Sequence, residues 1–86
     1  MQDEYIGRMI KNLPVLRASV GFTQEQLGIK LGVSRQTIVA IENEKSSLTW
    51  SMYLAMVCIF EKYEESNELL EKLNLFLTKL VVDDFE

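Results

Sequence analysis

Ser34, Arg35 and Gln36 stand side by side after Gly32-Val33, and their side chains are suited to recognition rather than to making or breaking bonds. Arginine offers a planar fork of donors that pairs with guanine O6 and N7. Glutamine offers a donor and an acceptor that pair with adenine N6 and N7, and each such contact discriminates a base by about 1–3 kcal/mol. If Ser34 opens a helix, Arg35 and Gln36 are its first outward side chains, and the major groove of DNA admits an α-helix. Thr37, Val39 and Ala40 add a hydroxyl and methyl groups further along. The plain alternative, two solvated residues on a surface helix, is outweighed by the pattern around them.

Thr23 and Gln24 are placed to open the preceding helix. Free N–H groups at a helix N-terminus point outward and attract phosphate; for Thr23, ordinary capping accounts for the residue equally well. Other chemistry is poorly supplied. The sequence has no histidine, the commonest general base near neutral pH. Its one cysteine, Cys58, excludes an intramolecular disulfide and reads as an inert core thiol on the apolar face of a helix. Glu61, Glu64, Glu65 and Glu68 read as a solvated face. There is no metal-ligand cluster and no cofactor motif, so an enzyme is not expected.

The elements that must position these residues are helical. The chain has 86 residues, one proline and four glycines, enough for one domain with a thin core. Ile6, Met9, Ile10, Leu13, Leu16 and Val20 recur at helical spacing, but Pro14 belongs in a first turn. Asn12 is therefore the expected N-cap of a helix from Leu13, with residues 1–12 a separate arm or short helix. Gly21 ends that helix. Thr23 and Gln26 form a capping-box pattern, Leu27 and Leu31 follow, and Gly32 is a left-handed C-cap. Ser34 caps the next helix, which runs to about Glu44 with Ile38 and Ile41 inside. Two short helices joined by a glycine turn make a helix-turn-helix. Thr49 caps a nearly buried helix through Phe60, and residues 13–63 form the central unit. Ser66 or Asn67 starts the last helix of the segment 64–86. There Leu69, Leu73, Phe76 and Leu80 form a seam, with Leu70, Leu77 and Val81 beside it.

Leu16-Arg17, Gly21, Thr23-Gln24, Leu27, Gly32, Ser34-Arg35, Ile38 and Ile41-Glu42-Asn43 occur in a specific order and spacing. With them, residues 16–45 resemble the Cro/C1-type helix-turn-helix family of phage repressors and xenobiotic-response-element-type bacterial regulators. The resemblance implies an all-α, five-helix, lambda-repressor-like fold with an extended C-terminal helix, binding double-stranded DNA as a transcriptional regulator, most simply a repressor. Base contacts are expected from Arg35, Gln36, Thr37 and Ala40, and phosphate contacts from Thr23, Gln24, Ser34, Asn43 and Lys45. The family also implies an internal ion pair between Arg17 and Glu42, and a glutamine at Gln24 that hydrogen-bonds the backbone and supports the recognition helix. Two departures bear on affinity. Glu44 stands where the family often has glycine, and an anion there opposes phosphate. Gly28 stands where alanine is usual, and glycine within a helix costs about 1 kcal/mol.

Charge supports this division of labour. The net charge is −4, yet residues 1–50 carry six cations against five anions, whereas residues 51–86 carry three against eight. Modest non-specific affinity for DNA is expected, with the acidic surface turned away from it. A homodimer is expected through Leu69, Leu70, Leu73, Phe76, Leu77 and Leu80. The competing reading is a protein-interaction module on the same fold, an antitoxin or phage accessory protein that holds a partner with its acidic last helix. The acidic Met1–Glu4, with no apolar run after it, gives no sign of a signal peptide. The longest apolar run, Leu54–Phe60, is far short of the roughly 20 residues that span a bilayer, so a cytoplasmic protein is expected.

Overall fold

Met9, Leu13 and Leu16 lie on one face of a helix and are fully buried, and they carry that helix straight through Pro14. The computed structural model describes residues 2–75. In it α1 runs unbroken over Gln2–Ser19 with Pro14 inside. Neither the expected start at Leu13 nor a separate arm over residues 1–12 is present. A proline within a helix costs about 3 kcal/mol, but burying each of three large apolar side chains returns about 1.5–3 kcal/mol. The burial wins. Pro14 itself is exposed, and Asn12, instead of capping, donates its amide N–H back to the Arg8 carbonyl at 2.8 Å.

α2 (Gln24–Leu31), α3 (Arg35–Glu42), α4 (Trp50–Glu61) and α5 (Glu64–Lys72) follow, so the described residues are all-α. α2 packs on α3, and α1 lies against α3, α4 and α5. The shared core is formed by Leu27, Ile38, Ile41, Leu48, Tyr53, Met56, Val57, Phe60, Leu70 and Leu75 together with the three α1 residues. Thr49 caps α4 by accepting from the Met52 N–H. Cys58, expected inside, is exposed. Although α4 is apolar nearly all round, its core side is Tyr53, Met56, Val57 and Phe60, and Cys58 falls on the opposite side.

α5 begins two residues earlier than Ser66, and Tyr63 stands at its N-cap without a side-chain hydrogen bond. Ser66 is fully buried and donates to the Phe60 carbonyl at 2.6 Å, tying α5 to the end of α4. The helix is also shorter than expected. It ends at Lys72, Asn74 adopts φ 57°, and Leu75 enters the core. The uninterrupted leucine seam is therefore broken. Leu70 is buried in this domain's own core and Leu69 and Leu73 pack against it, while Phe76, Leu77, Leu80 and Val81 lie outside the described residues. Arg8 donates to the carbonyls of Leu73 (3.1 Å) and Asn74 (3.5 Å), filling acceptors that a helix end leaves open.

Candidate nucleic-acid interface

The two short helices are fixed by their ends. Thr23 accepts from the Gln26 N–H at 3.0 Å while the Gln26 side chain accepts from the Thr23 N–H at 2.9 Å, a complete capping box. At the other end of α2, Gly32 takes φ 75°, a conformation open to glycine at little cost. The turn then folds back so that the Val33 N–H reaches the Gly28 carbonyl at 2.9 Å. This return explains Gly28. A β-carbon there would stand 2.8 Å from the Val33 carbonyl oxygen and 3.3 Å from that of Ser34. The expectation that glycine is simply a poor substitute for alanine is corrected: the turn occupies the space a methyl would need.

Ser34 caps α3, accepting from the Thr37 N–H at 3.2 Å, and its hydroxyl is 3.0 Å from that of Thr37. One hydroxyl must donate to the other, so the pair has a single O–H left to offer a ligand. Ile38 and Ile41 turn inward and are buried. Arg35 and Gln36 are exposed at the start of α3, and Asn43 and Lys45 are exposed just past its end. None of these four side chains has a hydrogen bond or ion pair with a described residue. Ala40 is half-buried on the same helix, and its carbonyl accepts from the Lys45 N–H at 2.8 Å as the helix unwinds. Glu44, exposed beside them, is held at φ 60°.

A polar joint connects α1, α2 and α3. Arg17 Nε donates to Glu42 Oε2 at 2.6 Å and Nη2 to Oε1 at 3.0 Å, a fork-to-fork pair. Arg17 Nη1 donates to the Phe22 carbonyl at 2.9 Å, and Gln24 Nε2 donates to Glu42 Oε1 at 3.1 Å. The hydrogen bonds with Glu42 raise the guanidinium pKa above its ordinary value, against the opposing pull of desolvation. Gln24 thus spends one N–H on the carboxylate of Glu42 rather than on backbone. The bridge places the N-terminus of α2 at the C-terminal end of α3, so Thr23, Gln24, Asn43 and Lys45 gather at one end of the recognition helix. Arg35 and Gln36 stand at the other, about 12 Å away for eight residues at 1.5 Å each.

A family model described as helix-turn-helix matches residues 16–62, more than half of the chain. The chain belongs to the Cro/C1-type helix-turn-helix family. No curated protein and no solved structure matches it significantly. As a member of this family it is a DNA-binding helix-turn-helix regulator. Among the described residues no helix is long and apolar enough to cross a membrane, and no group of three His, Cys, Asp or Glu could hold a metal ion.

Three residues of this helix-turn-helix unit have roles that the sequence did not reveal. Phe22 is a hub: its carbonyl takes Arg17, its ring meets that of Tyr63 edge-on at 5.4 Å, and the Lys30 amine lies 4.9 Å from its centroid. An aromatic residue between a glycine and a capping threonine was the available signal. Tyr63 and Lys30 carried none, because their contact is long-range or depends on the path of the turn.

Proposed function

We propose that the protein is a sequence-specific transcriptional regulator, acting as a repressor, that inserts α3 into the major groove of DNA. Arg35 and Gln36 read base edges, and Thr37 and Ala40 add a hydroxyl or methyl contact. The Ser34, Thr23, Gln24, Asn43 and Lys45 groups hold the flanking phosphates. The observation that carries this reading is the exposure of Arg35 and Gln36 at the start of α3 and of Asn43 and Lys45 just past its end, none of them bonded to another described residue, on a helix whose opposite face is buried. Arg17, Gln24 and Glu42, by contrast, are engaged with one another at the joint between the helices. Free donors at both ends of an eight-residue helix suit a ligand with base edges between two phosphate rows. One such helix contacts only three or four base edges, too few to single out a site, so the reading extends to two copies on an inverted repeat.

Selection from a randomised duplex library is the test. The enriched site should be an inverted repeat with half-site centres about 10 bp apart, or a multiple of that. Arg35→Ala or Gln36→Ala should each lower affinity by about 1–3 kcal/mol and relax preference at one base position. Lys45→Ala should weaken binding to all sequences alike and flatten the salt slope by about 1. A library that yields no enriched sequence would leave the protein-interaction reading in its place.

A further inference from the structure

The middle of the outward face of α3 is aliphatic. With Ile38 and Ile41 defining the inward direction, 3.6 residues per turn send the opposite direction between Gln36 and Asn43, with Val39 and Ala40 on either side of it. Arg35 and Thr37 fall on the flanks. Val39 is half-buried, yet it is not one of the side chains that pack on the core, unlike Val20, Phe22, Leu31 and Val33. Its exposed part therefore faces away from the core, toward the side that α3 presents outward.

Resting on the major-groove reading above, we infer that Val39 and Ala40 form an apolar saddle for the C5-methyl group of a thymine, making Val39 a specificity-determining residue. The thymine methyl is the apolar feature that the major groove presents beside its donors and acceptors. Val39 and Ala40 lie three and four residues beyond Gln36, on the same helix face and about 4.5–6 Å further along the axis. That advance equals one to two base-pair steps of about 3.4 Å. The preferred half-site therefore holds an adenine read by Gln36 and, within one or two base pairs, a thymine recognised by its methyl. Cytosine at that thymine position lacks the methyl and places an amino group against the aliphatic saddle.

The experiment uses the full chain and the duplex enriched from the library. Each thymine of the half-site is replaced in turn by uracil, which removes the methyl and leaves every hydrogen-bonding group in place. Affinity is measured by fluorescence anisotropy. At one or two positions the replacement should weaken binding about fourfold, the effect of withdrawing one buried methyl-sized group. In Val39→Ala, whose fold is checked by circular dichroism, the same replacement should change affinity by less than about twofold. An enriched site in which no uracil has an effect, or a loss that persists undiminished in Val39→Ala, would overturn the assignment while sparing the major-groove reading. An enriched half-site without thymine would do the same. If no sequence is enriched, the reading beneath it fails and the assignment fails with it.

Discussion

Glu44 holds φ 60° where α3 gives way to the loop, and at that angle a β-carbon crowds the following carbonyl at a cost of about 1–2 kcal/mol. Glycine removes the crowding but loses about 0.4–1 kcal/mol through the greater freedom of its unfolded chain. The first effect is larger. Glu44→Gly should therefore stabilise the protein by about 0.5–1 kcal/mol, a rise in melting temperature of about 2–8 °C for a chain of this size. The same change removes an anion next to Lys45 and the α2 N-terminus, so DNA affinity should rise, more at low salt than at high. Calorimetry and anisotropy at two salt concentrations separate the two effects; a loss of stability would mean that the carboxylate has a role in the fold. The sequence showed that glutamate was out of place here, as a charge beside phosphate. It could not show the backbone angle, which depends on how Lys45 and Ser46 both return to the Ala40 carbonyl.

The capped ends of α2, α3 and α4 were legible because each is a local event: Thr23, Ser34 and Thr49 each accept an N–H three residues on. What misled was decided by packing at a distance. Pro14 favours a break on local grounds, and the joint burial of Met9, Leu13 and Leu16 overrides it. Leu69, Leu70 and Leu73 have the spacing of a surface seam, but α5 lies on α1 and α4, which turns Leu70 into the core and packs Leu69 and Leu73 against it. Gly28 is unfavourable by helix propensity alone, but the turn folds against it and leaves no room for a β-carbon. Gly28→Ala measures this last contact. The substitution gains about 1 kcal/mol of helix propensity but drives a methyl into backbone atoms that cannot rotate away, an overpacking that costs about 1–3 kcal/mol. We expect a net loss of stability of up to about 2 kcal/mol by urea unfolding, with weaker DNA binding because the turn that sets α3 is displaced. An unchanged or raised stability would show that the turn yields freely.

Tyr53 tests the core of the molecule. Its ring is stacked on Trp50 at 4.7 Å and fully buried, and its hydroxyl finds no hydrogen-bond partner among the described residues. Burial pushes its pKa from 10.0 up to about 12, helped by Tyr5 and opposed by Arg8. A folded pKa above the unfolded value means that the unfolded chain loses its proton first. Stability is then unaffected below about pH 10 and falls as the pH rises through 10–12. Tyr53→Phe should flatten that alkaline loss and leave stability at pH 7 equal or higher, since it removes an unpaired buried hydroxyl; a parallel fall in both proteins would mean that the hydroxyl reaches solvent. At the same scale, the placement of charge and the free edge of α3 make one claim central, that base edges are read from the major groove. It is tested by changing single atoms of the selected duplex. Replacing each purine in turn by its 7-deaza analogue removes a major-groove acceptor, and replacing guanine by inosine removes a minor-groove amine. Reading by α3 predicts that the deaza purines opposite Arg35 and Gln36 weaken binding by about 1 kcal/mol or more, roughly fivefold, and that inosine does not. Loss of affinity with inosine and none with the deaza analogues would place the protein in the minor groove and contradict the role of α3.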